Sequence, residues 1–261
     1  MSTPSRLYDA YIFDLDGTVY LGDFLLPTAL DTITHLREIG ARTVFLSNNP
    51  TRTREVYAQK LTRLGLPTPV TDVVNSSSVM VDFLQQEMPD ARLFIVGENS
   101  LCQELEQAGF ELVEEAEQVD SVIASFDRSF DYRKLQIAFD AIRAGARFFA
   151  TNGDRYCPVP GGGEPDAAAM IAAIEACTGH NVEAIVGKPS HYMSETILRL
   201  VGFPAPKCLM IGDRLETDVL MGLNAGMAGA LTLTGATTVE DAAMSSIRPT
   251  YILNQLAELI P

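Results

Sequence analysis

Tyr11-Ile12-Phe13-Asp14-Leu15-Asp16-Gly17-Thr18-Val19-Tyr20 is the stretch from which the rest of the chain is read. The apolar run Tyr11–Phe13 has the character of a short buried strand. It ends in two carboxylates two residues apart, followed by a Gly-Thr turn. Open α/β sheets place their chemistry just outside the carboxyl ends of such strands. Asp14 is therefore expected as a nucleophile toward phosphorus, and Asp16 as its proton-transfer partner.

Outward from this point, strand and helix signals alternate. Pro27 opens a helix carrying Leu30, Ile33 and Leu36 at helical spacing, stopped by Gly40. Thr43–Leu46 is a second strand, ending at the polar cluster Ser47-Asn48-Asn49-Pro50. A helix with Val56, Tyr57, Leu61 and Leu64 on one face runs to Gly65. This alternation predicts an α/β fold with a parallel sheet. The serine-rich Asn75-Ser76-Ser77-Ser78 reads as a boundary, beyond which the pattern restarts. Strands are expected at Leu93–Val96, Phe110–Val113, Ser121–Ser125 and Arg147–Thr151, with a helix through Leu135, Ala138, Phe139 and Ile142. The segment 152–163 is too rich in Gly and Pro to be read as regular. An alanine-rich helix spans Pro165–Cys177. The last third returns to the first pattern: Ala184–Val186 leads into Gly187-Lys188-Pro189-Ser190, and Cys208–Ile211 ends at Gly212-Asp213. Glu216, Thr217 and Asp218 occupy a helix's first turn, and Ala230–Leu233 forms a final strand. The restart predicts a second α/β unit inserted into the first.

Composition narrows the partners. The 261 residues carry a formal charge of −15 and are 47% apolar, enough for a sizeable core in one or two domains. With no polybasic run, nucleic acid and anionic membrane surfaces are excluded as expected partners. A phosphate site in so acidic a chain has to bring its own local cations. Cys102, Cys157, Cys177 and Cys208 show neither CxxC nor zinc spacing and read as reduced thiols. The N-terminus lacks the apolar stretch of a signal peptide, and no apolar run approaches the roughly 20 residues of a membrane span. A cytoplasmic protein is expected.

The strand-end polar residues form a set: Asp14 and Asp16, Ser47 and Asn48, Lys188, Asp213 and, a helical turn later, Asp218. On parallel neighbouring strands they converge at one sheet edge. Asp14 and Asp213 offer hard oxygen ligands suited to Mg²⁺. Mg²⁺ and Lys188 supply the positive charge otherwise missing, while Ser47 and Asn48 offer donors to phosphoryl oxygens. Taken singly, each piece has a plain structural reading: turn, cap, solvated lysine or helix-start carboxylate. Their joint order favours phosphoryl transfer.

In these residues the chain resembles the haloacid dehalogenase-like superfamily, and most closely its class IIA branch of NagD-like and 4-nitrophenyl phosphatases. The resemblance rests on Phe13-Asp14-Leu15-Asp16-Gly17-Thr18, Leu46-Ser47-Asn48-Asn49-Pro50, Gly187-Lys188-Pro189-Ser190 and Gly212-Asp213-Arg214-Leu215-Glu216-Thr217-Asp218. It implies a Rossmann-like three-layer core (residues 1–79 and 185–261) with an inserted C2-type α/β cap (80–184). It further implies an aspartyl-phosphate on Asp14 and a proton shuttle at Asp16. Phosphate contacts would come from Ser47, Asn48, Asn49 and Lys188. Mg²⁺ would be held by Asp14, the Asp16 backbone carbonyl and Asp213, with Asp218 behind them. Dehalogenating relatives lack the second acid, so Asp16 favours phosphate esters. The expected substrates are small phosphorylated metabolites such as sugar phosphates, nucleoside monophosphates or glycerol phosphate. Capped relatives often dimerise through the cap. Asn152, Asp154, Tyr156 and Cys157 are the cap candidates for leaving-group contacts, although Gly161-Gly162-Gly163-Glu164-Pro165 departs from the family's usual Pro-Gly-x-Gly. The alternatives are a phosphomutase-type phosphotransferase, which shares the Asp pair, and a receiver-like phospho-accepting switch.

Overall fold

Strand β1 (Ala10–Asp14) is buried along its whole length, as a strand covered on both faces must be. The structure, a computed structural model, describes residues 3–159 and 161–261. After β1 come the hairpin β2 (Tyr20–Leu21) and β3 (Phe24–Leu25), α1 (Ala29–Glu38), β4 (Arg42–Ser47), α2 (Arg54–Arg63) and β5 (Val73–Asn75). There follow α3 (Ser76–Glu87), β6 (Arg92–Val96), α4 (Asn99–Gln107), β7 (Glu111–Leu112), β8 (Ser121–Ala124), α5 (Tyr132–Arg143) and β9 (Arg147–Ala150). Next are β10 (Tyr156–Val159), β11 (Gly162–Pro165), α6 (Ala167–Thr178), β12 (Ala184–Ile185) and α7 (His191–Val201). Last come β13 (Cys208–Gly212), α8 (Leu220–Asn224), β14 (Ala228–Thr232), α9 (Val239–Met244) and β15 (Tyr251–Leu253).

These elements divide into two compact units: Met1–Ser47, Arg54–Val74 and Lys188–Pro261 in one, Asn48–Thr53 and Asn75–Gly187 in the other. The first holds a six-stranded sheet in the order β15-β14-β13-β1-β4-β5. β1 pairs in parallel with both β13 and β4, and β13, β14 and β15 continue in parallel. Alternate side chains Tyr11, Phe13, Phe45 and Ile211 pack with Ile33 and Leu36 of α1 and Tyr57 and Leu61 of α2. The intervening Ile12, Val44 and Met210 are buried too, so the sheet is the middle of three layers. The expected α/β core with its parallel sheet is observed.

The second unit is also α/β. Its parallel sheet runs β12-β9-β8-β6-β7. Phe94, Val122 and Phe148 from its strands pack with Ala138 and Ile142 of α5 and Ile171 and Ile174 of α6.

Several local expectations are corrected. The serine run is the first turn of α3, a helix missing from the sequence reading. Asn75 caps it by accepting from Ser78 N–H, while the Ser78 hydroxyl accepts in return from Asn75 N–H. By contact, the two units divide at Ser47/Asn48, Thr53/Arg54, Val74/Asn75 and Gly187/Lys188. Within the segment read as irregular, β10 and β11 form an antiparallel hairpin; Gly161, with φ of 86°, supplies the left-handed turn. Leu30 and Val56, assigned to apolar helix faces, are 37% and 44% exposed. The buried face of α1 is Ala29, Thr32, Ile33 and Leu36, and that of α2 is Tyr57, Ala58, Lys60 and Leu61. Among the described residues, no helix is long and apolar enough to cross a membrane.

Asn75 is fully buried and also donates to Arg52 O and to Glu104 Oε1, both at 3.1 Å. Asn75→Ala should therefore lower the unfolding free energy by about 1–2 kcal/mol, measured by urea denaturation. A loss well under that range would mean that the cap does not hold α3.

Candidate active site

β1 ends at Asp14, which is registered with Leu46 of β4, so Ser47 lies one residue beyond it on the neighbouring strand. On the other side Phe13 is registered with Ile211, which brings Gly212 and then Asp213 to the same sheet edge. With β4 on one side of β1 and β13 on the other, this edge is where the strand order reverses, the position at which α/β sheets bind ligands.

Lys188 reaches this edge with its ammonium 2.5 Å from Asp14 Oδ1 and 2.6 Å from Asp218 Oδ1, the lysine donating to both. It is only 4% exposed, and Asp218 1%. Burial alone would push the Lys188 pKa down, but the two carboxylates outweigh it and the net shift is upward, so Lys188 is held charged. The second oxygen of Asp218 accepts from Arg214 N–H at 3.1 Å. The segment containing Asp218 is a π-helical turn (Leu215–Val219) rather than the expected first turn of an α-helix. Such turns are frequent at functional sites, and this one carries Asp218 to Lys188.

Asp213 is held from the loop after β14. Ala236 N–H donates to its Oδ2 at 2.6 Å, and Thr234 Oγ1 donates to Gly17 O at 2.6 Å, tying that loop to the turn after β1. Both glycines at this crossing are required by space. A Cβ on Gly17, already in the left-handed region, would stand 2.6 Å from Asp213 Oδ2, and one on Gly235 would collide with the same carboxylate.

One carboxylate oxygen from each of Asp14, Asp213 and Asp218 lies within 4.8 Å of the other two. Burial pushes the Asp14 pKa well up; the Asp218 and Asp213 charges add to this, and Lys188 opposes it. Burial, with the Asp218 charge, pushes Asp213 up to about 6 against the Ala236 amide, Arg214 and Lys188. Three ionised carboxylates against one ammonium leave a formal charge of −2 in a buried space. The donors are hard oxygens, so the residues fit a divalent cation of the Mg²⁺ type. Because both Asp218 oxygens are already engaged by Lys188 and Arg214, Asp14 and Asp213 are the better placed ligands.

Asp14, Ser47, Lys188, Asp213 and Asp218 thus come together in the first unit. Asp16 follows on the turn, its side chain exposed and its backbone bridged to Tyr20. Asn48 and Asn49 belong to the second unit. There Asn48 Nδ2 donates to Asp154 Oδ2 at 2.8 Å, and Asn49 Nδ2 to Cys157 Sγ at 3.6 Å. Asn152, fully buried, donates to Asp154 Oδ2 at 3.3 Å and to Asp166 Oδ1 at 3.0 Å. The carbonyls of Asn48, Pro50 and Arg52 accept from Ser76, Ser100 and Asn75, so this loop is pinned within its unit. Of the four cap candidates, Asn152 and Asp154 form one network, Cys157 meets Asn49, and Tyr156 is 53% exposed on β10. All four cysteines are free thiols.

Sequence reading missed two contributors. Tyr57 receives a hydrogen bond from the Ser47 hydroxyl at 3.1 Å, yet its position marked it only as core. The loop 234–236, beyond the expected strand Ala230–Leu233, supports Asp213 through the Ala236 amide.

Comparison with known proteins accords with this geometry. The profile of haloacid dehalogenase-like hydrolases matches residues 11–111, and a second, HAD-hydrolase-like, matches 185–259. The chain is 37% identical to the sugar-phosphatase AraL of Bacillus subtilis, over 95% of its own length and 90% of that protein. It is 33% identical to the 5′-nucleotidase YutF of the same organism, over 98% and 99%. Among solved structures, a 4-nitrophenylphosphatase from Thermotoga maritima superposes with a TM-score of 0.92 at 36% identity, covering 97% of this chain and 96% of that one. A NagD protein gives 0.89 at 34% identity, covering 96% of each. The chain belongs to the haloacid dehalogenase-like hydrolases, in the class IIA branch of NagD-like phosphatases.

Proposed function

We propose that this phosphoric monoester hydrolase is a Mg²⁺-dependent phosphatase of small phosphomonoesters that works through a phosphoryl group carried on Asp14. One observation carries the reading: a buried strand-end carboxylate 2.5 Å from a buried ammonium, with two further carboxylates within reach of a shared cation. A carboxylate and a phosphate dianion repel each other, so Asp14 attacks only where fixed positive charge meets both. Lys188 provides that charge and lies beside the attacking oxygen.

In the first step an Asp14 oxygen bonds to phosphorus as the bond to the leaving oxygen breaks. Protonated Asp16 gives its proton to that leaving oxygen. In the second step a water attacks phosphorus, Asp16 takes a proton from it, and the bond to Asp14 breaks to release phosphate. The exposure of Asp16 allows it to exchange its proton with solvent between steps. Ser47 donates its hydroxyl to a phosphoryl oxygen. Asp14, Asp213 and the Asp16 backbone carbonyl would hold the Mg²⁺, which neutralises charge on the phosphoryl oxygens. Asp218 positions Lys188.

The names of the relatives, a sugar-phosphatase and a 5′-nucleotidase, support sugar phosphates and nucleoside monophosphates as the substrate class. No observation favours a phosphomutase or a receiver-like switch.

Asp14→Asn should lower kcat for 4-nitrophenyl phosphate by more than about a thousandfold, the scale on which loss of a nucleophile is felt. EDTA should silence the wild type and Mg²⁺ restore it. Retained turnover in Asp14→Asn would overturn the mechanism.

A second expectation concerns pH. In the metal-free chain Asp213 is raised to about 6 from 3.8. The folded state therefore binds the proton more tightly than the unfolded state does. The stability this adds is fully present below about pH 4 and lost as pH rises through about 6. In EDTA, the thermal midpoint of the wild type should fall more between pH 5 and 7.5 than that of Asp213→Asn. Parallel profiles would contradict the assigned environment of Asp213.

A further inference from the structure

The hydrogen bond from Thr234 to Gly17 has no part in the mechanism above, although it ends beside the residue that moves the protons. The turn after β1 curls over one carbonyl. The N–H groups of Thr18, Val19 and Tyr20 all donate to Leu15 O, at 3.3, 2.9 and 3.2 Å. Gly17 stands outside this set. Its N–H donates to Tyr20 O at 2.8 Å, and its carbonyl accepts from Thr234 Oγ1 at 2.6 Å, across 217 positions of sequence.

Gly17 is the residue of this turn with the fewest restraints of its own. Its φ of 84° is in the left-handed region, and a Cβ there would meet Asp213 Oδ2, so no side chain can stiffen it. Leu15, Val19 and Tyr20, by contrast, are fully buried. Asp16, next to Gly17, has an exposed side chain, which is aimed by its backbone more than by packing. A bond to the Gly17 carbonyl therefore fixes the segment that aims Asp16. Valine has the shape of threonine without the hydroxyl, so packing alone does not call for threonine at 234. The other duty of this loop, holding Asp213, falls to a different group, the Ala236 amide. All these residues lie in the same unit as Asp14.

We propose that Thr234 is a positioning residue for proton transfer: by holding the Gly17 carbonyl it keeps the Asp16 carboxyl aligned with the leaving oxygen. The inference rests on the reading of Asp16 as the proton donor. A leaving group that needs its proton feels a lost alignment more than one that departs as an anion. 4-Nitrophenolate departs readily without a proton, and an alkoxide does not. The contribution of Thr234 is therefore larger for alkyl phosphates than for aryl phosphates.

The test uses the full-length enzyme in saturating Mg²⁺ and reads kcat/KM for 4-nitrophenyl phosphate and for an alkyl phosphate. This constant reports the steps up to departure of the leaving group. Thr234→Val and Thr234→Ala should each raise the aryl-to-alkyl ratio about 3- to 10-fold, the range of one hydrogen bond. Thr234→Ser, which keeps the hydroxyl, should return the ratio to that of the wild type. Asp16→Asn should raise the ratio about 100-fold or more, the scale of a general acid. In that background Thr234→Val should change the ratio no further. Loss of folded protein would lower both constants alike. An unchanged ratio in Thr234→Val and Thr234→Ala would thus overturn the proposal and mark the bond as support for the fold only. So would a raised ratio that Thr234→Ser fails to correct, or one that adds in full to the effect of Asp16→Asn. An unchanged ratio in Asp16→Asn would remove the premise and the proposal with it, a failure of the Asp16 reading that the other outcomes do not produce.

Discussion

The ammonium of Lys188, held between Asp14 and Asp218, is the contact on which the site depends. An isolated buried lysine would lose its charge, and isolated buried carboxylates would take up protons. Together they keep one positive charge fixed beside the strand-end carboxylate. The pairing is incomplete, because Asp213 adds a third carboxylate for which the cluster has no second cation of its own. In a chain of formal charge −15, that deficit is one that a divalent cation would offset. It also explains how a strongly acidic protein handles an anionic group: the attraction is local and buried, where screening by solvent is weak.

The sheet makes this geometry reproducible. Parallel pairing of β1 with β13 and β4 brings Asp14, Ser47 and Asp213 to one edge by register alone. The final placement depends on close approaches that only glycine allows. Gly17 and Gly235 stand against the Asp213 carboxylate, and a Cβ on Gly212 would collide with Asp218. Three backbone segments thus converge on two carboxylates, and the Ala236 amide fixes one of them. The supporting shell is mostly backbone, so it tolerates little change in shape.

The placement of most candidate site residues was legible in the sequence because they sit where strands end, and strand ends can be read from apolar runs. Asp14, Ser47 and Asp213 meet at one edge as their strand ends predict, whereas the strand before Lys188, β12, belongs to the sheet of the second unit, so Lys188 is not a strand end of the first sheet. Asp218 was recovered by spacing, although its turn is π-helical and the contact with Lys188 depends on that geometry. What escaped was tertiary. Tyr57 lies on an apolar helix face, and nothing local tells a phenol that packs from one that meets Ser47. Three consecutive serines suggested only a boundary, whereas Asn75 also makes them a helix start. The glycines around residue 161 suggested irregular chain, whereas one left-handed glycine closes a hairpin. The network of Asn48, Asn152, Asp154 and Asp166 joins residues more than a hundred positions apart, beyond any local signal.

The most direct test of the central claim is to look for the phosphoryl group on Asp14 itself. Asp16→Asn keeps the nucleophile and removes the group that activates the hydrolytic water, so the intermediate should outlive its formation. Acid quench during turnover of 4-nitrophenyl phosphate with Mg²⁺, followed by peptide mass spectrometry, should find one hydroxylamine-labile phosphoryl group on the peptide bearing Asp14. Turnover with no phosphoryl group on that peptide, or with the group on another residue, would contradict the account.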